Sequence, residues 1–82
     1  MARLLYFGRL TDVFGASTET LTLPAEISDT SALRQWLDND RQLGGALMTK
    51  SIRVAVNDDI VPEPWPIADR DEIAFLPPVG GG

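Results

Sequence analysis

"DEIAFLPPVGGG", residues 71–82, closes the chain, and its first half decides the fold. In Glu72–Leu76 the apolar side chains fall on both sides of an extended segment, with Ile73 and Phe75 on one side and Ala74 and Leu76 on the other. A strand that is apolar on both faces belongs inside a sheet. Pro77 and Pro78 lack backbone donors and end the ladder. Each proline also holds its predecessor extended, so residues 76–78 make a stiff exit. The last strand is therefore read as central, with the tail leaving from the sheet's end.

Working outward, "RLLYFG" at residues 3–8 is also apolar on both faces and reads as the opening strand, a central partner for the last. Residues 10–18 read as a connecting turn that pivots on Gly15. Residues 18–23 alternate polar and apolar up to Pro24, which predicts a half-buried strand hairpinned to the first. Ser28, Asp29 and Thr30 are candidate helix caps, and Ala32, Leu33, Trp36 and Leu37 recur at helical spacing. That stripe predicts one amphipathic helix of about three turns, with Trp36 in the core. Gly44 and Gly45 close the helical stretch, and residues 46–50 add a short further turn. Ile52, Val54 and Val56 then share a face, with Arg53 outward. Residues 57–59 read as a tight turn into a brief edge strand that Pro62 cuts off. Residues 62–71 are a proline-rich loop. Asp58, Asp59, Asp69 and Asp71 lack the spacing and central glycine of a calcium loop, and read as solvated turn acids.

The order strand, strand, helix, strand, short strand, strand predicts an α+β fold. The arrangement expected is a ubiquitin-like β-grasp, a mixed sheet of four to five strands with one main helix packed across it. Residues 1–76 are expected to form the domain and residues 77–82 a flexible C-terminal tail.

A chain of 82 residues holds one modest core, burying about 60–65% of its unfolded surface. Its 44% hydrophobic and 23% charged residues are those of a globular domain. The net charge is −5, and the seven basic residues are dispersed, which leaves no footprint for nucleic acid. No apolar run approaches the ~20 residues of a membrane helix, and no membrane association is expected. Gly8 and Arg9 interrupt the opening apolar run too early for a signal peptide, so the expected location is cytoplasmic. The sequence has no cysteine and no histidine. A thiolate nucleophile, a zinc-thiolate site and an imidazole base are all excluded, and no metal or bound cofactor is expected.

The tail supplies its own functional group. Extended, the residues after Leu76 reach up to ~20 Å, and the three final glycines carry nothing that would obstruct a narrow pocket. The α-carboxylate of Gly82 is ionised at neutral pH and is a poor electrophile. Aligned by a partner, it can attack the α-phosphate of ATP and so become an acyl-adenylate. Taken alone, the tail reads as an inert glycine linker; joined to the β-grasp order, it reads as a carrier.

"DEIAFLPPVGGG" resembles the C-terminus of the molybdopterin synthase small-subunit family, sulfur carriers of the ubiquitin-like class. Matching segments are "LLYFGRL", "TSALRQWL" and "VAVNDDIV", which together span most of the chain in order. The resemblance implies that an ATP-dependent adenylyltransferase activates Gly82 and that sulfur replaces AMP to leave a covalent thiocarboxylate. The tail, Pro77, Pro78, Val79, Gly80, Gly81 and Gly82, then enters the large synthase subunit within a heterotetramer of two small and two large subunits. Sulfur passes to cyclic pyranopterin monophosphate to form the molybdopterin dithiolene, with catalytic side chains supplied by the large subunit alone. The family's contact positions fall on Phe7, Ile60 and Leu76. Gly80 stands where relatives often carry Ala, Ser or Thr, and Arg70 where they often have a turn glycine. A carrier for thiamine synthesis, a tungsten cofactor or protein conjugation, and a non-catalytic interaction module, remain the alternative readings.

Overall fold

The structure, a computed structural model, describes residues 1–78; the readings that fall on Val79, Gly80, Gly81 and Gly82 lie outside the described residues. Its elements are β1 (Ala2–Tyr6), α1 (Leu10–Phe14), β2 (Thr18–Leu21), α2 (Thr30–Asp40), β3 (Arg53–Val56), β4 (Asp59–Ile60) and β5 (Glu72–Leu76). The sheet runs β2-β1-β5-β3-β4, with β1 and β5 parallel and the other pairs antiparallel. This is the five-stranded, mixed end of the expected range, with β5 in the middle. The β-grasp reading holds.

The alternation of side chains divides the sheet into two unlike faces. Leu4, Tyr6, Val54, Val56, Ile73 and Phe75 point inward, each at most 7% exposed, and pack with Leu33 and Leu37 of α2. Trp36 is half-buried against the same core. Asp29 caps α2 as its side chain accepts from the Ala32 N–H at 2.8 Å.

Two charged residues of α2 are buried because they bind loops. The Arg34 guanidinium donates to the carbonyls of Leu47 at 3.0 Å and Thr49 at 2.8 Å and pairs with Glu63. Asp38 accepts from the Gly45 N–H at 2.8 Å and the Leu47 N–H at 2.9 Å. Together they lash the segment that leads into β3 onto the helix.

Three local readings are corrected. Residues 10–14 form a one-turn helix rather than a plain turn. Leu10 is buried in the core, Phe14 stacks on Tyr6 at 3.8 Å between ring centroids, and Gly15 closes the turn at φ 74°. The main helix ends at Asp40, before the two glycines, because Gln42 already sits at φ 54°. Residues 46–50 form turns and no helix. Arg70 is not among the positive-φ residues, so replacing a turn glycine brings no backbone strain there.

A small network ties β1, β2 and α2 together. The Tyr6 hydroxyl donates to Glu19, and Arg41 pairs with the same carboxylate at 2.9 Å. Burial and the adjacent Glu19 carboxylate push the Tyr6 hydroxyl up. Burial also pushes the Glu19 carboxyl up, but the hydrogen bonds from Arg41 and Tyr6 outweigh it and hold Glu19 below the usual range.

Candidate functional site

The outward face of the sheet reads in rows across the strands. One row is Leu5–Ala74–Ala55–Ile60, fixed by the registers Leu5↔Ala74, Ala55↔Ala74 and Ala55↔Ile60. Towards the tail, Leu76 pairs with Arg53 across the β3–β5 ladder, and Phe7 follows β1 beside them. The Phe7 N–H donates to the Phe75 carbonyl at 3.3 Å, which prolongs the parallel pairing by one residue past Tyr6. No helix of the described residues covers this face, and Phe7 is 46% and Ile60 57% exposed.

These residues line one open groove of about 750 Å³, with Phe7, Gly8, Ser51, Arg53, Ile60, Leu76, Pro77 and Pro78 around it. Each is placed by a local feature. Asn57 and Asp58, at φ 51° and 74°, make the two-residue hairpin turn that folds β4 back on β3 and so presents Ile60. The Asn57 side chain braces this turn against β5 by accepting from the Glu72 N–H at 3.0 Å. Gly8, at φ 57°, turns the chain away from β1 beneath Pro77, where a Cβ would lie 2.9 Å from the proline ring. Pro77 and Pro78 form the lip at which the described chain ends.

Of the residues singled out in the sequence, Phe7, Ile60, Leu76, Pro77 and Pro78 come together here; Val79 and the three final glycines lie outside the described residues. The four loop aspartates are apart in role. Asp69 accepts from the Leu23 N–H at 2.7 Å and pairs with the N-terminal amine, while Asp71 accepts from Asn57 and Ala68. Among the described residues no cluster of carboxylates could hold a metal ion, and no helix is long and apolar enough to cross a membrane. Gly8, Ser51 and Arg53 are groove residues that the sequence did not assign. The signal for Arg53 was the alternation of β3, which already turned it outward; only the β3–β5 register sets it beside Leu76.

What the groove can do chemically is limited. It is mostly apolar, with one guanidinium and the Ser51 hydroxyl, and its described lining has no carboxylate or imidazole that could serve that hydroxyl as a base. Such a surface is suited to contact with another protein rather than to catalysis by its own side chains.

Comparison with known proteins agrees in length and order. Residues 4–82 match the model of the ThiS family. The molybdopterin synthase sulfur carrier subunit of Escherichia coli (strain K12) is 34% identical over 84 residues, spanning 100% of both chains. The protein of the same name from Homo sapiens is 32% identical, over 96% of this chain and 91% of that one. Among solved structures, SAMP1 from Haloferax volcanii superposes with a TM-score of 0.78 at 20% identity, covering 99% of this chain and 98% of that one. Subunit 1 and 2 of the molybdopterin-converting factor from Helicobacter pylori, solved as a complex, contain a chain that superposes at 0.65 with 24% identity, covering 99% of this chain and 97% of that one. At these identities the structural likeness speaks for the fold. The family model and the curated relatives carry the rest: the chain belongs to the ThiS family, and its relatives there are molybdopterin synthase sulfur carrier subunits.

Proposed function

We propose that this chain carries sulfur on its C-terminus for molybdopterin synthase. One observation carries the reading: the lip of the apolar groove, Pro77 and Pro78, is also where the chain sets out towards Gly82. A partner seated in the groove is thereby no more than four residues, at most about 14 Å of extended chain, from the terminal carboxylate.

The steps follow from the chemistry of a carboxylate. In an ATP-dependent adenylyltransferase, a terminal oxygen of Gly82 attacks the α-phosphorus of ATP and pyrophosphate leaves. A sulfide-level sulfur nucleophile then adds to the acyl carbon, AMP leaves, and a thiocarboxylate remains. In the large synthase subunit that sulfur passes to the cyclic pyranopterin monophosphate, and two carriers in succession complete the dithiolene. This chain binds no cofactor of its own in the scheme; it contributes the docking face, the reach and the terminal carbon. The Helicobacter pylori complex of subunits 1 and 2 supports the large subunit as a partner. A heterotetramer of two small and two large subunits is the assembly we propose.

Registry tests it. Deleting Gly82, or adding one residue after it, moves the carboxylate by about 3.5 Å. In-line attack on phosphorus tolerates far less, since a 1 Å error costs on the order of 100-fold. Incubated with the activating enzyme, ATP and a sulfur donor, the wild type should show the sulfur-for-oxygen mass gain and both variants should not. Equal loading of the shortened protein refutes the mechanism.

A further inference from the structure

Arg53 sits where a cation becomes costly once the groove is covered. It is exposed on the outward face, opposite Leu76 in the ladder, and is the one charged residue among the described residues that line the groove. Acids outnumber bases twelve to seven in this chain, and among the described residues three of the other five arginines pair with one, while Arg9 and Arg70, like Arg53, do not. Arg3, on the same face of the sheet, pairs with Glu72 at 3.8 Å, while Arg34 and Arg41 pair with Glu63 and Glu19. Arg53 makes no ion pair with any described residue. Exposed to water, it needs none. Once a protein seals the groove, the guanidinium loses its water, and an uncompensated buried charge is strongly unfavourable. A planar guanidinium is best matched by a carboxylate, which accepts two parallel hydrogen bonds.

We propose that Arg53 is a specificity-determining residue of this groove, and that it pairs with an Asp or Glu side chain on the large synthase subunit. The inference rests on the docking reading above and adds the chemistry of the partner. Phe7, Ile60 and Leu76 make the contact adhesive; Arg53 makes it selective, because an apolar surface without an acid is penalised for covering it.

The test is the dissociation constant of the full-length chain for the purified large synthase subunit of the same organism, at low and high salt. Phe7→Ala reports on docking. Arg53→Met keeps length and apolar contact but removes the charge, and Arg53→Gln is a second variant should the first fold poorly. Both Arg53 variants should melt like the wild type and bind about tenfold or more weakly, the partner's carboxylate being left unpaired. They should also lose most of the salt dependence of the wild type, which a merely structural role would not change. Arg53→Lys should fall between, with charge but no planar fork. If Phe7→Ala weakens binding while the Arg53 variants match the wild type in affinity and salt dependence, this inference is overturned and the docking reading stands. If the wild type does not bind, or Phe7→Ala leaves binding unchanged, the docking reading fails and the role of Arg53 falls with it.

Discussion

Gly8 joins the fold to the tail, and Gly8→Ala is the sharpest perturbation of that joint. At φ 57° an alanine pays the left-handed penalty of about 1–2 kcal/mol. Restricting the unfolded chain returns about 0.4–1 kcal/mol of it. The remaining cost depends on Pro77, whose Cγ lies 2.9 Å from the new Cβ, so one of the two must move. Gly15 is the internal control: its φ of 74° brings similar strain, but no atom lies within 4 Å of its would-be Cβ. Strain alone, at roughly 1 kcal/mol, lowers Tm by about 4–8 °C in a domain of this size. Gly15→Ala should show that drop and dock normally. Gly8→Ala should show a larger one and should also dock and load sulfur poorly, because displacing Pro77 re-aims the tail. Melting curves and binding to the large subunit, measured on both variants, decide it. If the two melt alike and both dock like the wild type, the Gly8–Pro77 contact does not set the tail's exit.

Other expectations follow from single contacts. Asp29→Ala removes the α2 cap and should cost about 1 kcal/mol in denaturant unfolding, with the m-value unchanged. Glu19 is held below the usual carboxylate range, so its stabilisation is present above the unfolded value of about 4.3 and is lost as pH falls through the lower folded one. In a Tm-versus-pH series Glu19→Gln should therefore lose stability at neutral pH and show a shallower acid limb, not a flat one, since Asp69 is also lowered, by the Leu23 N–H and then the N-terminal amine. Phe7→Arg should leave Tm almost unchanged, the side chain being 46% exposed, yet abolish assembly with the large subunit; unfolding would show that Phe7 serves the core.

The sheet was legible because its central strands are apolar on both faces and its edge strands are not. β5 announced its place through Ile73 and Phe75 against Ala74 and Leu76, and its end through two prolines. The turn at Asn57 and Asp58 was legible from residue type, since those side chains tolerate positive φ. α1 was not legible. Five residues make too short a window for periodicity, and the turn is held by tertiary contacts of Leu10 and Phe14 that no local pattern encodes. Arg34 and Asp38 were not assigned for a related reason: their hydrogen-bond partners include backbone groups in a loop beyond the helix, which no local pattern encodes. At the site, Leu76 followed from alternation, but Phe7 and Ile60 came from resemblance. Joining them to Arg53 requires the register of three strand pairs, which is long-range information.

The parallel pairing of β1 with β5 is what makes the joint possible. Parallel strands end at the same edge, so Phe7 and Gly8, leaving β1, stand beside Pro77, leaving β5. An antiparallel pair would bring the start of β1 there instead, and the N-terminus would crowd the tail. Parallel strands cannot be joined by a tight hairpin. In this chain the intervening segment carries the β2 hairpin, α2 and the β3–β4 hairpin, and α2 covers the inward face. The core is thereby assigned to one face, while the other is left open around Phe7, Leu76 and Ile60. A tail anchored on a central strand is braced by ladders on both sides, to β1 and to β3, so a partner pulling on it loads the middle of the sheet rather than a peelable edge. Gly8, whose would-be Cβ lies 2.9 Å from Pro77, is then the position at which one substitution is expected to alter stability and the tail's exit together.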